Sequence, residues 1–143
     1  MEGQSKSSFM FHFSITTRWM DNDMFGHVNN VNYYSFFDTV INQFLIEQGD
    51  FIPQKSQQIG FIVQSSCSYI SPVSYPQKLV GGLRVDKIGN SSVDYVVAIF
   101  KEEEKNASAI GRLTHVFVDR DSHKPTPIRG TLRQAMLSAM LPT

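Results

Sequence analysis

The 143-residue chain lacks several features that mark particular classes of protein. It has one cysteine, Cys67, so no disulfide can form within it, as is typical of proteins from a reducing compartment. Thirteen basic residues balance thirteen acidic ones, so no overall field attracts nucleic acid or an anionic membrane. No apolar run approaches the roughly 20 residues of a membrane span. We therefore expect a cytoplasmic protein with neither nucleic acid nor membrane as a partner.

Apolar residues are plentiful. They make up 41% of the chain and include eleven phenylalanines, a composition typical of folded globular proteins rather than disordered ones. A chain of this length suits one hydrophobic core. We therefore expect a single domain over 1–143, with Cys67 as a buried, inert thiol in an alternating apolar run.

Two periodicities open the chain. Large apolar residues alternate with smaller or polar ones from Phe9 to Ile15 and predict a half-buried strand with Phe9, Phe11 and Phe13 on one face. From Val31 to Gln48 the spacing is helical, and Gly49 is a plausible stop. This apolar face is unusually wide and predicts a helix wrapped by other structure; it comprises Val31, Tyr33, Tyr34, Phe36, Phe37, Val40, Ile41, Phe44 and Leu45.

Strands dominate the rest of the chain. Apolar alternation predicts four of them, over 59–70, 77–88, 93–101 and 109–118, followed by a short terminal helix over 131–140. Gly89-Asn90 is a hairpin signal between the second and third of these. Short turns between consecutive strands imply an antiparallel sheet. The predicted fold class is therefore α+β, with one long helix on one face of a curved antiparallel sheet.

Polar residues concentrate in the segment 18–30, directly before the helix. A calcium loop beginning at Asp21 fails at Phe25, where an oxygen ligand is required, and at Asn32, where a bidentate Glu is required. Asp21, Asp23 and His27 offer three ligands for a transition metal, but the other histidines show no ligand spacing with them. We therefore expect no metal site.

A purely structural role is the other alternative for this segment. Asn29 and Asn30 directly precede the helical pattern and are well placed to cap it. The two carboxylates, Asp21 and Asp23, lie several residues upstream and exceed what capping requires. The segment is therefore a candidate site of chemistry.

The pattern Arg-x-x-Asp-x-Asp-x-x-Gly-His-Val-Asn-Asn-x-x-Tyr, from Arg18 to Tyr33, resembles the signature of hotdog-fold acyl-CoA thioesterases of the 4-hydroxybenzoyl-CoA thioesterase type. The Gly-His-Val-Asn-Asn run is most similar to the long-chain acyl-CoA thioesterase branch. Weaker similarity continues through 68–73 and 88–92. The resemblance implies a hotdog fold, in which a curved antiparallel sheet wraps a long central helix, and a homodimer or homotetramer with active sites at the subunit interface.

The resemblance also implies roles for particular residues. Asp23 is the implied catalytic carboxylate, as general base toward water or as nucleophile. Backbone N–H groups at the start of the helix would polarise the thioester carbonyl, and Asn30 would orient water or the thioester. Asp21 would hold the loop through Arg18. The implied substrate-binding residues are Gly26, His27, Val28, Asn29 and Tyr33.

The expected activity is hydrolysis of an acyl-CoA thioester without metal or organic cofactor. Arg84, Lys87, Arg112 and Arg129 are candidate partners for the CoA phosphates. A hotdog domain that binds acyl-CoA or an acyl carrier protein without hydrolysis is the alternative, and the retained Asp23 favours the enzyme.

Overall fold

The computed structural model describes residues 5–142; residues 1–4 and 143, which the predicted single domain also includes, lie outside the described residues. The described part contains five strands and two α-helices. In chain order these are β1 (Phe11–Thr16), α1 (Asn30–Gly49), β2 (Gln58–Tyr69), β3 (Lys78–Ile88), β4 (Ser92–Lys101), β5 (Ala109–Asp119) and α2 (Gly130–Ser138). The predicted α+β hotdog fold is confirmed. Neither helix between residues 5 and 142 is long and apolar enough to span a membrane.

The strands form one antiparallel sheet in the order β1-β3-β4-β5-β2. The predicted succession of short turns is correct for β3, β4 and β5, which are consecutive neighbours. It is wrong for β2 and β3, because β5 and β4 lie between them. The connection over 70–77 carries two prolines instead of a hairpin signal, and it passes the start of α1, where Val28 N donates to Val73 O at 2.8 Å.

Helix α1 packs against the inner face of the sheet and supplies much of the core. Phe37, Ile41 and Phe44 are fully buried. The predicted apolar face was too wide, since Val31 is 66% exposed and Tyr34 is 37% exposed. At about 100° per residue, Val31 lies about 120° around the helix from Phe37 and therefore off the buried stripe.

A second apolar cluster covers the outer face of the sheet. Phe9 packs there edge-to-face against Phe100, with ring centroids 5.7 Å apart, whereas Phe11 and Phe13 belong to the core around α1. The prediction that these three phenylalanines share one face is therefore wrong for Phe9. The reason is that β1 begins at Phe11, so strand alternation does not extend back to Phe9.

Candidate active site

Asp21 anchors the loop between β1 and α1. Its carboxylate is 1% exposed and accepts hydrogen bonds from Arg18 N at 2.7 Å and from the Arg18 guanidinium at 2.9 Å. The predicted Arg18–Asp21 pair is therefore present, and its hydrogen bond raises the pKa of Arg18. The main-chain oxygen of Asp21 accepts from Asn29 N at 2.9 Å and from the Asn32 amide at 3.0 Å. Asp21 thus joins the loop to the first turn of α1.

The next part of the loop is a tight turn centred on Gly26. Gly26 N donates to Asp23 O at 3.1 Å, and Asp23 N donates to His27 O at 2.9 Å. Gly26 has φ of 81°, a left-handed conformation that glycine adopts without the steric cost of a Cβ atom. The turn reverses the chain, so that Asp23 lies beside the start of α1.

Asn29 connects Asp23 to the helix. Asp23 Oδ1 accepts from Phe25 N at 2.9 Å, and Asp23 Oδ2 accepts from Asn29 Nδ2 at 3.4 Å. Asn29 Oδ1 in turn accepts from Val31 N at 3.1 Å, which makes Asn29 the N-cap of α1. The sequence pattern assigned substrate contact to Asn29 and orientation of water or thioester to Asn30. In the structure the amide that touches Asp23 is that of Asn29.

An open cavity of about 350 Å³ lies in front of the helix start. Four of the predicted site residues line it, namely His27, Val28, Asn30 and Tyr33, together with residues 69–72. Asp23, Gly26 and Asn29 are not among the lining residues; Asp23 and Asn29 are half-buried beside the helix start, and Gly26 is exposed. The predicted residues therefore lie in one loop and the first turn of α1, and four of them line the cavity.

The first N–H groups of α1 differ in their partners. Val31 N is bonded to Asn29 Oδ1, and Asn32 N donates to Asn29 O at 3.0 Å. The N–H of Asn30 has no acceptor among residues 5–142, as expected for the first position of a helix. A donor at the positive end of a 20-residue helix is thus available beside the cavity.

Tyr69 is a site residue that sequence reasoning did not single out. It is the last residue of β2, lines the cavity and donates its hydroxyl to Asn30 O at 3.2 Å. Its ring lies perpendicular to that of Tyr33, with centroids 5.1 Å apart. Partial desolvation of the half-exposed side chain raises the pKa of Tyr69 to about 12. The phenol therefore stays protonated. The weak family similarity over 68–73 was the one sequence signal that included Tyr69, but it did not indicate which residue Tyr69 contacts.

The remaining candidates are less closely tied to the cavity. No three His, Cys, Asp or Glu side chains converge anywhere in residues 5–142 as a metal site would require. Arg84 is buried and bonded to Asp86 at 2.9 Å, and Arg112 also pairs with Asp86 at 3.3 Å. Neither is therefore an uncommitted partner for a phosphate.

The protein was compared with known families and structures. The family model of the Thioesterase-like superfamily matches residues 17–136. The PA5185 protein from Pseudomonas aeruginosa strain PAO1 is 47% identical, with 96% of each chain covered and a TM-score of 0.94. Slr0204, a 1,4-dihydroxy-2-naphthoyl-CoA thioesterase from Synechocystis, shares the fold, with 15% identity, coverage of 89% of this chain and 95% of that one, and a TM-score of 0.79.

The curated protein YsmA of Bacillus subtilis (strain 168) is 26% identical over 88 residues, which are 62% of this chain and 59% of YsmA. The match thus spans less than two thirds of that relative. The family match covers far more of the chain, from the residue before Arg18 to Met136 near the end of α2. The chain belongs to the Thioesterase-like superfamily.

Proposed function

We propose that this single-domain protein is a cytoplasmic acyl-CoA thioesterase of the 4-hydroxybenzoyl-CoA thioesterase type, in its long-chain acyl-CoA branch. The observation that carries the proposal is that two chemically suited groups both lie at the start of α1. These are the Asp23 carboxylate, held by Phe25 N and Asn29, and the unbonded N–H of Asn30 beside the cavity. Slr0204, which has the same fold, is a CoA thioesterase.

The two groups match the needs of thioester hydrolysis. The Asn30 N–H, at the positive end of α1, would stabilise the negative charge that develops on the carbonyl oxygen. Asp23 would take a proton from attacking water as the carbon–oxygen bond forms. The carbon–sulfur bond then breaks, and the CoA thiolate leaves and takes up a proton. In the nucleophilic variant, Asp23 itself attacks the carbonyl and water then cleaves the mixed anhydride.

The positions of the other predicted residues support proposed roles for them. Gly26 makes the turn that aims Asp23, and Asn29 holds the carboxylate at 3.4 Å. His27 is exposed on the cavity wall and would contact the thioester or pantetheine portion. Val28 and Tyr33 are 5% and 4% exposed, so they would form the apolar floor under the acyl group.

We propose a homodimer formed through β2. This strand lies at the edge of the sheet, is 12 residues long and contains no charged residue or proline, the features by which exposed edges are usually protected. Phe61, Ile62 and Val63 on it are 44%, 41% and 60% exposed. Antiparallel pairing of β2 with a second copy would satisfy its free backbone groups and cover these side chains without bringing like charges together.

Hydrolysis of a panel of short-chain, long-chain and aromatic acyl-CoAs tests the proposal, with released thiol detected by a trapping reagent. We expect turnover with at least one class. Asp23→Asn should lower kcat by about 10²–10⁴-fold, the usual contribution of a general base. The substitution keeps the shape of the side chain and an oxygen for Phe25 N.

Asp38→Asn is the matched control, because Asp38 is an exposed carboxylate on α1 away from the loop. It should hydrolyse the best substrate like the parent protein. Tight CoA binding without hydrolysis of any panel member would instead identify a non-catalytic acyl-CoA or acyl-carrier-protein binding domain. Equal turnover by the parent and Asp23→Asn would remove Asp23 from the chemistry.

A further inference from the structure

A continuous series of hydrogen bonds runs from the end of β2 to Asp23. The Tyr69 hydroxyl donates to Asn30 O at 3.2 Å. The N–H of the same peptide unit, Val31 N, donates to Asn29 Oδ1 at 3.1 Å. The nitrogen of the same Asn29 side-chain amide, Nδ2, donates to Asp23 Oδ2 at 3.4 Å. We call these three bonds the Tyr69 chain.

The Tyr69 chain clamps one peptide unit at both ends. The carbonyl of the Asn30–Val31 peptide is held by Tyr69, and its N–H is held by Asn29. Hydrogen bonds in series polarise one another, because a peptide whose carbonyl is bonded becomes a better N–H donor. The Asn29 amide must point its oxygen at Val31 and its nitrogen at Asp23, so the side chain has a single orientation that satisfies both partners.

The position of Tyr69 makes this arrangement informative. Asp23 has no direct bond to β2, so the strand reaches the carboxylate through the helix cap. Tyr69 is 49% exposed, and its ring makes a perpendicular contact with that of Tyr33, with centroids 5.1 Å apart. This contact restricts where the hydroxyl can lie, as is needed of a group that orients another.

We propose that Tyr69 is a positioning residue for the thioesterase reaction, acting on Asp23 through the Asn30–Val31 peptide and the Asn29 amide. This inference rests on the proposed function and adds to it a residue of β2 that no residue pattern singled out. Loss of the hydroxyl should therefore impair the chemical step rather than the affinity for substrate. A residue that merely lined the cavity would instead change KM.

A double-mutant cycle tests the inference. Tyr69→Phe removes the first bond of the chain, and Asn29→Ser removes the amide donor to Asp23 while keeping a side chain that can cap α1. We expect Tyr69→Phe to lower kcat by about 3- to 10-fold, the size of one net hydrogen bond, with KM within two-fold. Both substitutions interrupt the same series of hydrogen bonds. The kcat of the double variant should therefore be only slightly lower than that of the less active single variant.

Tyr34→Phe is the matched control. Tyr34 is a neighbouring tyrosine on α1 whose hydroxyl has no bonded partner in the described part of the chain, so its loss should leave kcat unchanged. Thermal unfolding of every variant measures the folded fraction. Losses of kcat that multiply in the double variant, a change confined to KM, or a fall in kcat that follows the folded fraction would each overturn the inference.

A nuclear magnetic resonance measurement tests the Tyr69 chain without turnover. In ¹⁵N–¹H spectra, Tyr69→Phe should shift the Val31 amide and the Asn29 side-chain amide, whereas Tyr34→Phe should not. Unmoved resonances in Tyr69→Phe would overturn the inference even in an active enzyme. A parent protein that hydrolyses no acyl-CoA would overturn the proposed function, and shifted resonances there would leave the Tyr69 chain standing as an orienting device.

Discussion

We expect the carboxylate of Asp21 to be needed mainly for stability and that of Asp23 mainly for catalysis. Asp21 is 1% exposed, and its side chain accepts Arg18 N at 2.7 Å. Asp21→Ala leaves that N–H without its acceptor, and a hydrogen bond to a charged group contributes about 1.5–3 kcal/mol. The guanidinium of Arg18 is largely in water, so we add nothing for the ion pair. We therefore expect the free energy of unfolding to fall by about 2 kcal/mol.

Thermal unfolding followed by circular dichroism measures this change. For a chain of this size, about 2 kcal/mol corresponds to a fall in Tm of roughly 5–10 °C. Asp23→Asn should lower Tm by no more than about 2 °C, since it gives up a single bond of 3.4 Å at a half-buried site. Activity should follow the opposite order, with a modest loss in the folded Asp21→Ala protein and a loss of orders of magnitude in Asp23→Asn.

The reasoning would be refuted by either of two results. One is an Asp21→Ala protein that keeps the parent Tm within about 2 °C, because the buried bond to Arg18 N would then contribute almost nothing. The other is an Asp23→Asn protein that loses as much stability as Asp21→Ala. In that case the two carboxylates would share a structural role, and the loss of activity in Asp23→Asn would no longer indicate chemistry.

Three further predictions concern the core, the protonation of a buried histidine and the sheet edge. Gly111→Ala should destabilise the fold by about 1–3 kcal/mol in urea titrations, because a Cβ there would lie 2.5 Å from Phe37 Cε2; an unchanged midpoint would contradict the close packing. Burial lowers the pKa of His115 to about 4 from its ordinary 6.5. As the pH falls, His115 is therefore protonated in the unfolded chain before it is protonated in the folded protein. Stability is thus complete above about pH 6.5 and falls by about 3 kcal/mol as the pH drops toward 4. His115→Gln should flatten this part of the pH dependence, and a slope equal to that of the parent would exclude His115 as its source. Val63→Lys on β2 should convert the proposed dimer to a monomer in light scattering, while Ser14→Lys on β1, at the other edge, should not; a dimer in both would place the interface elsewhere.

The order of the elements was predictable because each carries a local signal. Alternation over Phe11–Ile15 and β3 to β5, and helical spacing in α1, depend on which face of the element is buried. The place of β2 was not predictable in this way. Edge and central strands differ in what lies beside them, and a strand free of charges such as β2 has the pattern of a central one. The sheet order therefore depends on contacts remote in sequence.

The candidate site likewise combines contacts that are local in sequence with one that is remote. Asp21, Gly26 and the cap of α1 lie within about a dozen residues, so the segment could be singled out from the sequence, and the resemblance implied the pairing of Asp21 with Arg18. The bond from Tyr69 to Asn30 joins residues 39 positions apart. Nothing local to Tyr69 indicates that the end of β2 faces the start of α1. This contact follows from the sheet order and from how closely the helix lies on the sheet.

That closeness is set by two glycines on the inner face. A Cβ at Gly81 of β3 would lie 2.5 Å from Val40 Cγ2, and one at Gly111 of β5 would lie 2.5 Å from Phe37 Cε2. Helix α1 therefore rests on backbone at both places, with β4 between them. Gly111 is paired in register with Cys67, two residues before Tyr69. The close approach of the helix to β5 at Gly111 thus also sets the distance between the start of α1 and the end of β2. A larger residue at position 111 would lift Asn30 away from Tyr69, so Gly111→Ala should weaken the Tyr69 chain as well as the core.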